Sequence, residues 1–583
     1  MFLIDGTVMQ NTSEKKTLRW AFIFIAGLII GALPFGVSFL LSRTGNDAAT
    51  SSMAQPPTHV YREPTDVKRD GVPTPVEDGE LGIHVYFDAV HGAAQYMTRD
   101  NRRYRSDYHA VSGWYRFQRA LQNEGFSVHV EDHNCFDAAV LDSYNVFIIG
   151  EQTYEGRFMT DAERQALLDW VERGGGLFLT VDHTNERHNA EVFNTLAAAL
   201  PVKARFDTIC DRTTADPESL GWIALPNIAS HPITEGVKYF SFNNGCSLDT
   251  PNGILSSSED SWSDKFNPNR SPFYEGNKRK DNGESRGPLV GVAAFDHGKG
   301  RVVVVGDQNP FTNINLYMDD HHRFAMNAVR WLAHAENRTD FANGKYKDGF
   351  DLLVHTGTGS EFNLYRNVKQ NSFRTAYGYL TKEPQLRPWA AGELRTDGDM
   401  LILAAPTDSY TFDDLDTIER MLAEGKPVMW LATLASIESA AGRQLAKRFE
   451  FQFDTTKSTG RRHTQPFQMH GSYEWTHGIF RAFIQKNIPQ VHVEGLTPDV
   501  QLSMGTRHIA DQKDTPEEIL IDLISSKEIG KSKLYVIAPF DIFSDVDLAS
   551  LYHEGPDVAR QQTAELFLRA VKHAVGDTTV YLD

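Results

Sequence analysis

The sequence predicts an α/β protein of two consecutive lobes with mostly parallel sheets, preceded by one N-terminal transmembrane helix. Three observations support this fold class: an apolar stretch near the N-terminus, an internal repeat of strand–helix–strand units, and a globular composition. Of 583 residues, 41% are hydrophobic and 23% are charged, which is typical of a folded chain rather than a disordered one. At about 100–200 residues per domain, this length requires more than one domain.

The first element is the apolar stretch 20–41, which contains no charged residue. About 20 apolar residues cross a bilayer as a helix, so this stretch is predicted to span a membrane once. Three basic residues lie just before it and only Arg43 lies just after it. The positive-inside rule therefore leaves residues 1–19 in the cytoplasm and exports the remainder. A retained signal anchor is favoured over a cleaved signal, whose apolar core is shorter, about 7–15 residues.

The exported part is predicted to begin with a flexible linker, residues 42–79, which is rich in Pro, Ser, Thr and Asp. Such a composition is typical of an extended tether. The two lobes follow: lobe 1 at residues 80–336 and lobe 2 at residues 350–577, with a polar linker at 337–349. Both lobes are predicted to face the periplasm or the cell exterior.

Each lobe repeats the same order of elements. In lobe 1 the apolar run 145–150 precedes a capping box at Thr160 and Glu163, which begins a helix, and the run 177–181 follows three glycines. The corresponding parts of lobe 2 are 399–404, the cap at 411–414, and 428–431. A crossover of this kind pairs its two strands in parallel. Each lobe is therefore predicted to be a sheet between helices.

A second block repeats towards the end of each lobe. A β-rich run and a short turn occupy 298–311 in lobe 1 and 530–543 in lobe 2. A closing helix is predicted after each block, ending near Ala335 and Ala574.

Four blocks of lobe 1 are similar to the class I glutamine-amidotransferase-like fold, in the branch found in gliding-motility and intraflagellar-transport proteins (GIFT-type domains). The blocks are 87–92, the strand and capped helix that end at 174–176, 231–237, and 298–307. Lobe 2 matches only the overall pattern. The resemblance implies two tandem flavodoxin-like lobes, and many members of that family are binding or scaffold modules.

The amidotransferases of that family carry a nucleophilic cysteine on a sharp turn after a central strand. The matching turn is 181–185 in lobe 1 and 432–435 in lobe 2, and neither contains a cysteine. The protein is therefore predicted not to be a glutamine amidotransferase, and another enzymatic activity stays open.

Polar residues follow three predicted strands of lobe 1, and ligand sites in open α/β sheets lie beyond the carboxyl ends of strands. We call this edge the rim. Its candidate ligand or metal residues are Asp88, His91, Asp182, His183, Asp307 and Asn309. Carboxylates and imidazoles could hold a divalent metal, which would activate water. No other cofactor is predicted. Alternatively the rim binds a ligand without catalysis, or its aspartates only cap turns.

Lobe 2 lacks the acidic residues of this set. Its corresponding positions are His355, Thr433 and Pro539. Lobe 2 is therefore predicted to be a packing or partner-binding copy, and any chemistry is predicted to belong to lobe 1.

Two further groups are candidates for a site or a bond. The residues Arg102, Arg103, Arg105 and Trp114 form a basic–aromatic patch, which could bind a carboxylate, a sugar or a partner loop; ordinary surface arginines are the alternative. Cys210 and Cys246 could form a disulfide in an exported protein, or stay two thiols.

The net charge of −19 disfavours a nucleic-acid partner, because an acidic surface repels phosphates. The leading hypothesis is a membrane-anchored extracytoplasmic binding or scaffold protein with a protein partner or a small ligand. By family analogy it would be an accessory subunit of an envelope or transport complex. The alternative is a metal-dependent hydrolase with its site in lobe 1.

Overall fold

The computed structural model describes residues 79–91, 113–131, 135–152, 158–214, 221–267, 275–341, 349–360, 373–383, 385–455, 467–470, 481–482, 491–507, 517–543 and 558–576. The predicted membrane span at 20–41 lies outside these residues. Among the helices that are described, none is long and apolar enough to cross a membrane. Both lobes belong to one compact unit, Val67–Asp583.

Lobe 1 contains a central sheet and several short strands. Its strands are β1 (His84–Asp88), β2 (Ser127–Glu131), β3 (Val146–Ile149), β4 (Gly176–Thr180), β5 (Lys203–Ala204), β6 (Asp207–Cys210), β7 (Trp222–Ala224), β8 (Asn227–Ile228), β9 (Ser241–Asn243), β10 (Leu248–Asp249), β11 (Gly253–Ser256), β12 (Trp262–Lys265), β13 (Val290–His297) and β14 (Gly300–Val305). Its helices are α1 (Tyr115–Asn123), α2 (Ala138–Leu141), α3 (Asp161–Arg173), α4 (Asn189–Leu196) and α5 (His321–Leu332).

The central sheet of lobe 1 has the order β2-β1-β3-β4-β14-β13-β11-β8 in the described part of the chain. The first five strands are parallel, in the 2-1-3-4-5 order of a doubly wound sheet. The last three continue antiparallel. The predicted run 298–306 is therefore the second half of a hairpin, because β13 and β14 pair through a tight turn.

Helices cover both faces of this sheet, because successive residues of a strand point to opposite sides. Val85 and Phe87 pack in the apolar cluster that includes Phe117 of α1. Tyr86, between them, packs in the second cluster with Leu167 of α3. This two-sided burial explains why the parallel strands are almost uniformly apolar.

Lobe 2 repeats the arrangement. Its strands are β15 (Phe350–His355), β16 (Leu386–Ala391), β17 (Met400–Ala404), β18 (Val428–Leu431), β19 (Gln452–Asp454), β20 (Phe467–His470), β21 (Arg481–Ala482), β22 (His492–Glu494), β23 (Thr497–Arg507), β24 (Glu517–Ile529) and β25 (Ser532–Ile537). Its helices are α6 (Arg374–Lys382), α7 (Phe412–Glu424), α8 (Leu434–Glu438), α9 (Ala440–Arg448) and α10 (Val558–Val575). The sheet order is β16-β15-β17-β18-β25-β24-β23-β20-β21, and its first five strands are parallel.

The predicted capping boxes are confirmed in both lobes. Thr160 accepts a hydrogen bond from the Glu163 N–H, and Glu163 accepts one from the Thr160 N–H at the start of α3. Thr411 and Asp414 make the same reciprocal pair at the start of α7. The closing helices α5 and α10 end at Leu332 and Val575, close to the predicted positions.

The two lobes are joined by main-chain and side-chain hydrogen bonds. The Ala390 N–H of β16 donates to the Tyr317 carbonyl at 2.9 Å, and the Asp319 N–H donates to the Ala390 carbonyl at 3.1 Å. Met318 of lobe 1 is buried in the apolar core of lobe 2. A segment of lobe 1 therefore extends the edge of the lobe 2 sheet.

Arg116 of α1 is buried at this junction, only 4% exposed. Its guanidinium donates to the carbonyl oxygens of Thr381, Glu383 and Leu386 at 2.5–2.8 Å. These carbonyls lie at and after the end of α6, where a helix leaves acceptors without partners. Arg116 therefore caps a helix of the other lobe.

Candidate functional site

Four carboxyl side chains lie along the rim of lobe 1. The strands β1, β3, β4 and β14 are adjacent and parallel, so their carboxyl ends meet at one edge of the sheet. Asp88 ends β1, and Glu151, Asp182 and Asp307 each stand two residues beyond a strand. All four are at most 3% exposed. The predicted convergence of Asp88, Asp182 and Asp307 on one edge therefore agrees with the strand order.

The turn after β4 is conformationally strained. Asp182 accepts a hydrogen bond from the His183 N–H at 2.7 Å, and the His183 ring contacts Glu186, with Nε2 3.1 Å from Oε2. Four residues of this turn have positive φ angles: Thr184 (43°), Asn185 (55°), Arg187 (46°) and His188 (64°). Each such residue costs about 1–3 kcal/mol, and strain of this kind clusters at ligand sites.

Glu151 lies at the centre of a buried polar group that includes unpartnered atoms. It accepts hydrogen bonds from Asn189 Nδ2 at 3.1 Å and from Gln308 Nε2 at 2.8 Å. The other ends of those amides, Asn189 Oδ1 and Gln308 Oε1, are buried without a hydrogen-bond partner, and so is Gln152 Nε2. Buried polar atoms are normally paired, so the amide oxygens of Asn189 and Gln308 are candidate contacts for a ligand.

The carboxyl groups of this cluster favour their neutral forms. Burial and the nearby Glu186 raise the pKa of Glu151 to about 8. Burial and the charges of Asp307 and Glu151 raise the pKa of Asp182 well above its usual range. At neutral pH the Glu151 carboxyl can therefore donate a hydrogen bond as well as accept one.

Asp307 is engaged by its own turn. Its Oδ1 accepts from the Asn309 N–H and from Asn309 Nδ2, both at 2.8 Å, and its Oδ2 accepts from the Asn243 N–H. Burial raises the pKa of Asp307 to about 6, although these hydrogen bonds oppose the shift. Asn309 also donates to the Asn243 carbonyl. Asp307 and Asn309 thus hold the end of β9 against the end of β14.

Asp88 and His91 form a separate pair at the end of β1. Asp88 Oδ1 accepts from the N–H groups of Val90 and His91, and Asp88 Oδ2 lies 2.8 Å from His91 Nδ1. Burial lowers the pKa of His91, but Asp88 and Glu163 outweigh burial and raise it to about 9. His91 Nε2 lies 3.7 Å from Glu163 Oε1 of α3. Of the six predicted rim residues, Asp88 and His91 form this pair. The other four, Asp182, His183, Asp307 and Asn309, lie just beyond the ends of β4 and β14.

The corresponding edge of lobe 2 has a simpler structure. Thr433 caps α8 by accepting from the Ser436 N–H, and His355 Nε2 lies 3.0 Å from Thr358 Oγ1. These short-range contacts serve local turns.

Two sequence-based candidates need correction. Trp114 is fully buried, with its ring 5.6 Å from that of Phe311, so it belongs to the core and presents no binding surface. The rest of the patch, Arg102, Arg103 and Arg105, lies outside the described residues.

The disulfide that the sequence allowed is not formed, because Cys210 and Cys246 are both free thiols. Burial raises the pKa of both thiols, and nearby carboxylates, Asp207 among them, raise both further.

Sequence reasoning missed the residues that complete both groups. Glu151 and Gln152 directly follow a buried strand, so the strand-end argument that found Asp182 also applied to them. Glu163 was assigned only to the helix cap. Asn189 and Gln308 carry no local signal, because their role depends on contact with Glu151.

Each of the comparisons with known proteins described below covers less than half of the chain. A family model described as a domain of unknown function (DUF4350) matches residues 106–329. No curated protein matches the sequence.

Several solved structures are similar to part of the chain. The mmIFT52 N-terminal domain is 13% identical, with a TM-score of 0.32 over 43% of this chain and 97% of that one. A cytoplasmic protein of Salmonella typhimurium LT2 is 15% identical, with a TM-score of 0.27 over 44% and 100%. A ThuA-like protein of Bacteroides uniformis is 14% identical, with a TM-score of 0.24 over 45% and 95%. The fold class, mixed α/β with mostly parallel sheets, rests on the strand order described above.

Proposed function

We propose that the protein is a binding protein in which the rim of lobe 1 holds a small, neutral, polar ligand without transforming it. One observation carries the proposal: the two amide side chains that donate to Glu151 have buried oxygens without hydrogen-bond partners. A ligand with hydroxyl or amide groups would supply donors for Asn189 Oδ1 and Gln308 Oε1. The GIFT-type amidotransferase-like resemblance fits such a non-catalytic role.

The protonation of the cluster favours a neutral ligand. With the pKa of Glu151 raised to about 8, this carboxyl group is neutral at pH 7, and a cation would gain little from it. An anion would meet Asp307, whose pKa of about 6 leaves it mostly ionised. Sugars and polyols combine neutrality with many hydroxyl groups, and they are the ligand class we favour.

The strained turn at 184–188 supports a binding role for the same edge. Four left-handed non-glycine residues are costly, and surrounding contacts must hold them. Asn185 is held by the Glu191 N–H, which donates to its side-chain oxygen at 3.0 Å. Strain fixed in this way keeps a site preorganised for its ligand.

The proposal also includes location and partner. The apolar stretch at 20–41 would anchor the chain, with the basic residues before it in the cytoplasm and both lobes outside. Lobe 2 would then be a packing or partner-binding copy that attaches lobe 1 to an envelope or transport complex. Co-purification of the full chain with a stoichiometric membrane-protein partner is the result we expect, and recovery of the chain alone would contradict this part.

A metal-dependent hydrolase is the second candidate, with Asp88, His91, Asp182, His183 and Asp307 as ligands or bases. The raised pKa values of Glu151 and Asp182 favour the hydrolase, because carboxyl groups with shifted pKa values are common at catalytic sites. Against it, Asp88, Asp182 and Asp307 each accept hydrogen bonds from backbone N–H groups of their own turns.

The test is thermal unfolding of the full chain in detergent, against a panel of neutral sugars, polyols and amides. A ligand at 100 times its Kd stabilises a protein by about 2.7 kcal/mol, so the midpoint should rise. Gln308→Leu should abolish the rise. Gln165→Leu, at an exposed position of α3, should retain it. If no compound shifts the midpoint, or Gln308→Leu responds like the parent, the binding proposal is wrong.

Metal-dependent turnover that Asp182→Asn abolishes would favour the hydrolase.

A further inference from the structure

A second group of side chains includes the rim residue His91 and is separate from the proposed ligand site around Glu151. His91, Cys135 and Glu163 each offer one metal-ligand atom, and these atoms all lie within 4.8 Å of one another. His91 follows β1, Cys135 precedes α2, and Glu163 lies in the first turn of α3. Three elements that are distant in sequence therefore bring a nitrogen, a sulfur and an oxygen together.

His91 is oriented as a metal ligand would be. Its Nδ1 lies 2.8 Å from Asp88 Oδ2, and the Asp88 carboxylate is itself held by two backbone N–H groups. A carboxylate on one ring nitrogen commonly orients a histidine whose other nitrogen binds a metal. The ring also packs edge-on against Phe136, with centroids 5.4 Å apart, so its direction is fixed.

The other ring nitrogen has no hydrogen bond. His91 Nε2 is fully buried and has no hydrogen-bond partner. Glu163 Oε1 lies opposite it at 3.7 Å, beyond hydrogen-bond distance. A buried nitrogen that has no hydrogen-bond partner and lies near a carboxylate oxygen and a sulfur is placed to coordinate a cation.

Glu163 can serve this site without giving up its helix cap. Its Oε2 accepts from the Thr160 N–H and Oγ1, both at 2.8 Å, and its Oε1 is the atom that faces His91. Nitrogen and oxygen ligands of a tetrahedral zinc ion lie about 3.3–3.5 Å apart. The observed 3.7 Å would need to close by only a few tenths of an ångström.

We propose that His91 Nε2, Cys135 Sγ and Glu163 Oε1 bind one zinc ion, with a fourth position open to water. A thiolate and an imidazole favour Zn²⁺ over Mg²⁺ or Ca²⁺, which prefer oxygen ligands only. The site is independent of the ligand site around Glu151 and of any turnover. The competing explanation is a metal-free ion pair, in which a protonated His91 bridges Asp88 and Glu163.

The proposal is tested on the full chain after dialysis against a chelator. Zn²⁺ is titrated in competition with a chromophoric chelator, and Co²⁺ is used as a spectroscopic replacement. We expect one equivalent of either metal to bind, and a thiolate-to-cobalt charge-transfer band to appear in the near ultraviolet. Absence of saturable 1:1 binding, or of the thiolate band, would overturn the proposal without any variant.

Variants then assign the ligands. Cys135→Ser should remove the thiolate band and weaken Zn²⁺ binding at least 100-fold, while the matched control Cys210→Ala should change neither. Glu163→Gln keeps a capping oxygen for Thr160 and should weaken Zn²⁺ binding about 10- to 100-fold. A band that survives in Cys135→Ser, or disappears in Cys210→Ala, would assign the thiolate elsewhere and refute this site.

Discussion

At the scale of single residues, Glu151 shows how burial changes the chemistry of a carboxyl group. It is 3% exposed and is approached by two amide donors. Burial opposes the charged form, and two further acids, Glu186 and Asp307, oppose it as well. A carboxyl group in this position acts as a neutral polar group.

The first prediction concerns the pH dependence of stability. The pKa of Glu151 is about 8 in the fold, above the ordinary value of 4.5. Its contribution to stability is therefore complete below pH about 4.5 and is lost as pH rises through about 8. Each pH unit in that window removes up to about 1.4 kcal/mol. Glu151→Gln cannot ionise and should flatten this decline, measured as the free energy of unfolding in urea between pH 5 and 8.5.

A matched control separates this effect from a general loss of charge. Glu259 is exposed, so Glu259→Gln should follow the parent curve. If Glu151→Gln also runs parallel to the parent across that range, the carboxyl group ionises normally in the fold.

At the scale of elements, capped helices are where sequence and structure agree best. Thr160 with Glu163 and Thr411 with Asp414 were recognisable as pairs because the capping box is local, spanning only four residues. Gly174 and Gly425 end the two helices with φ angles of 129° and 94°, conformations that glycine adopts without strain. The crossover and the parallel pairing follow directly from these signals.

The second prediction is that Thr411→Ala lowers the free energy of unfolding by about 1 kcal/mol. The Asp414 N–H loses the hydroxyl acceptor that lies 3.1 Å away. Chemical denaturation of the full chain measures the change. Thr417→Ala, in the same helix but not at its cap, should be neutral or slightly stabilising, because alanine favours helices. Equal losses in both variants would show that the cap contributes nothing specific.

Other elements had no comparable local signal. The strands β5–β12 are only two to four residues long, too short for an alternation of apolar and polar residues to be recognised. Strand β12 pairs with β6, although its sequence resembles a surface loop. Glu151 could be predicted from its place after a strand, but its contacts with Asn189 and Gln308 could not, because they join residues from three separate turns.

At the scale of the whole molecule, Arg116 is a residue whose burial and contacts could not be predicted from the sequence. It lies two residues after Trp114 of the predicted basic–aromatic patch. In the fold it is buried and bonds to carbonyls up to 270 positions away. Burial lowers its pKa, and its hydrogen bonds and the Tyr317 ring at 5.7 Å compensate for lost water. No local sequence pattern predicts a hydrogen-bond acceptor so distant along the chain.

The third prediction is that Arg116→Ala lowers the free energy of unfolding by at least about 3 kcal/mol. The variant leaves three buried carbonyl oxygens without their charged donor, and each such hydrogen bond contributes about 1.5–3 kcal/mol. Arg116→Lys should recover only part of the lost free energy, because an ammonium group cannot reproduce the planar arrangement of N–H donors of a guanidinium. Denaturant unfolding monitored by tryptophan fluorescence measures the free energy of unfolding of both variants.

The matched control is Arg173→Ala, which removes an ion pair with Asp142 whose side chains are 53% and 61% exposed. Exposed pairs of this kind contribute about 0–1 kcal/mol. A loss of similar size in Arg116→Ala and Arg173→Ala would mean that the junction is not a major source of stability.

The bridge between Tyr317, Asp319 and Ala390 has a consequence for how the molecule can move. Main-chain hydrogen bonds run from one lobe directly into the sheet edge of the other. If the two lobes closed around a ligand by a hinge motion, these main-chain hydrogen bonds would have to break first. While these hydrogen bonds are intact, we therefore expect the two lobes to move together rather than about a hinge between them.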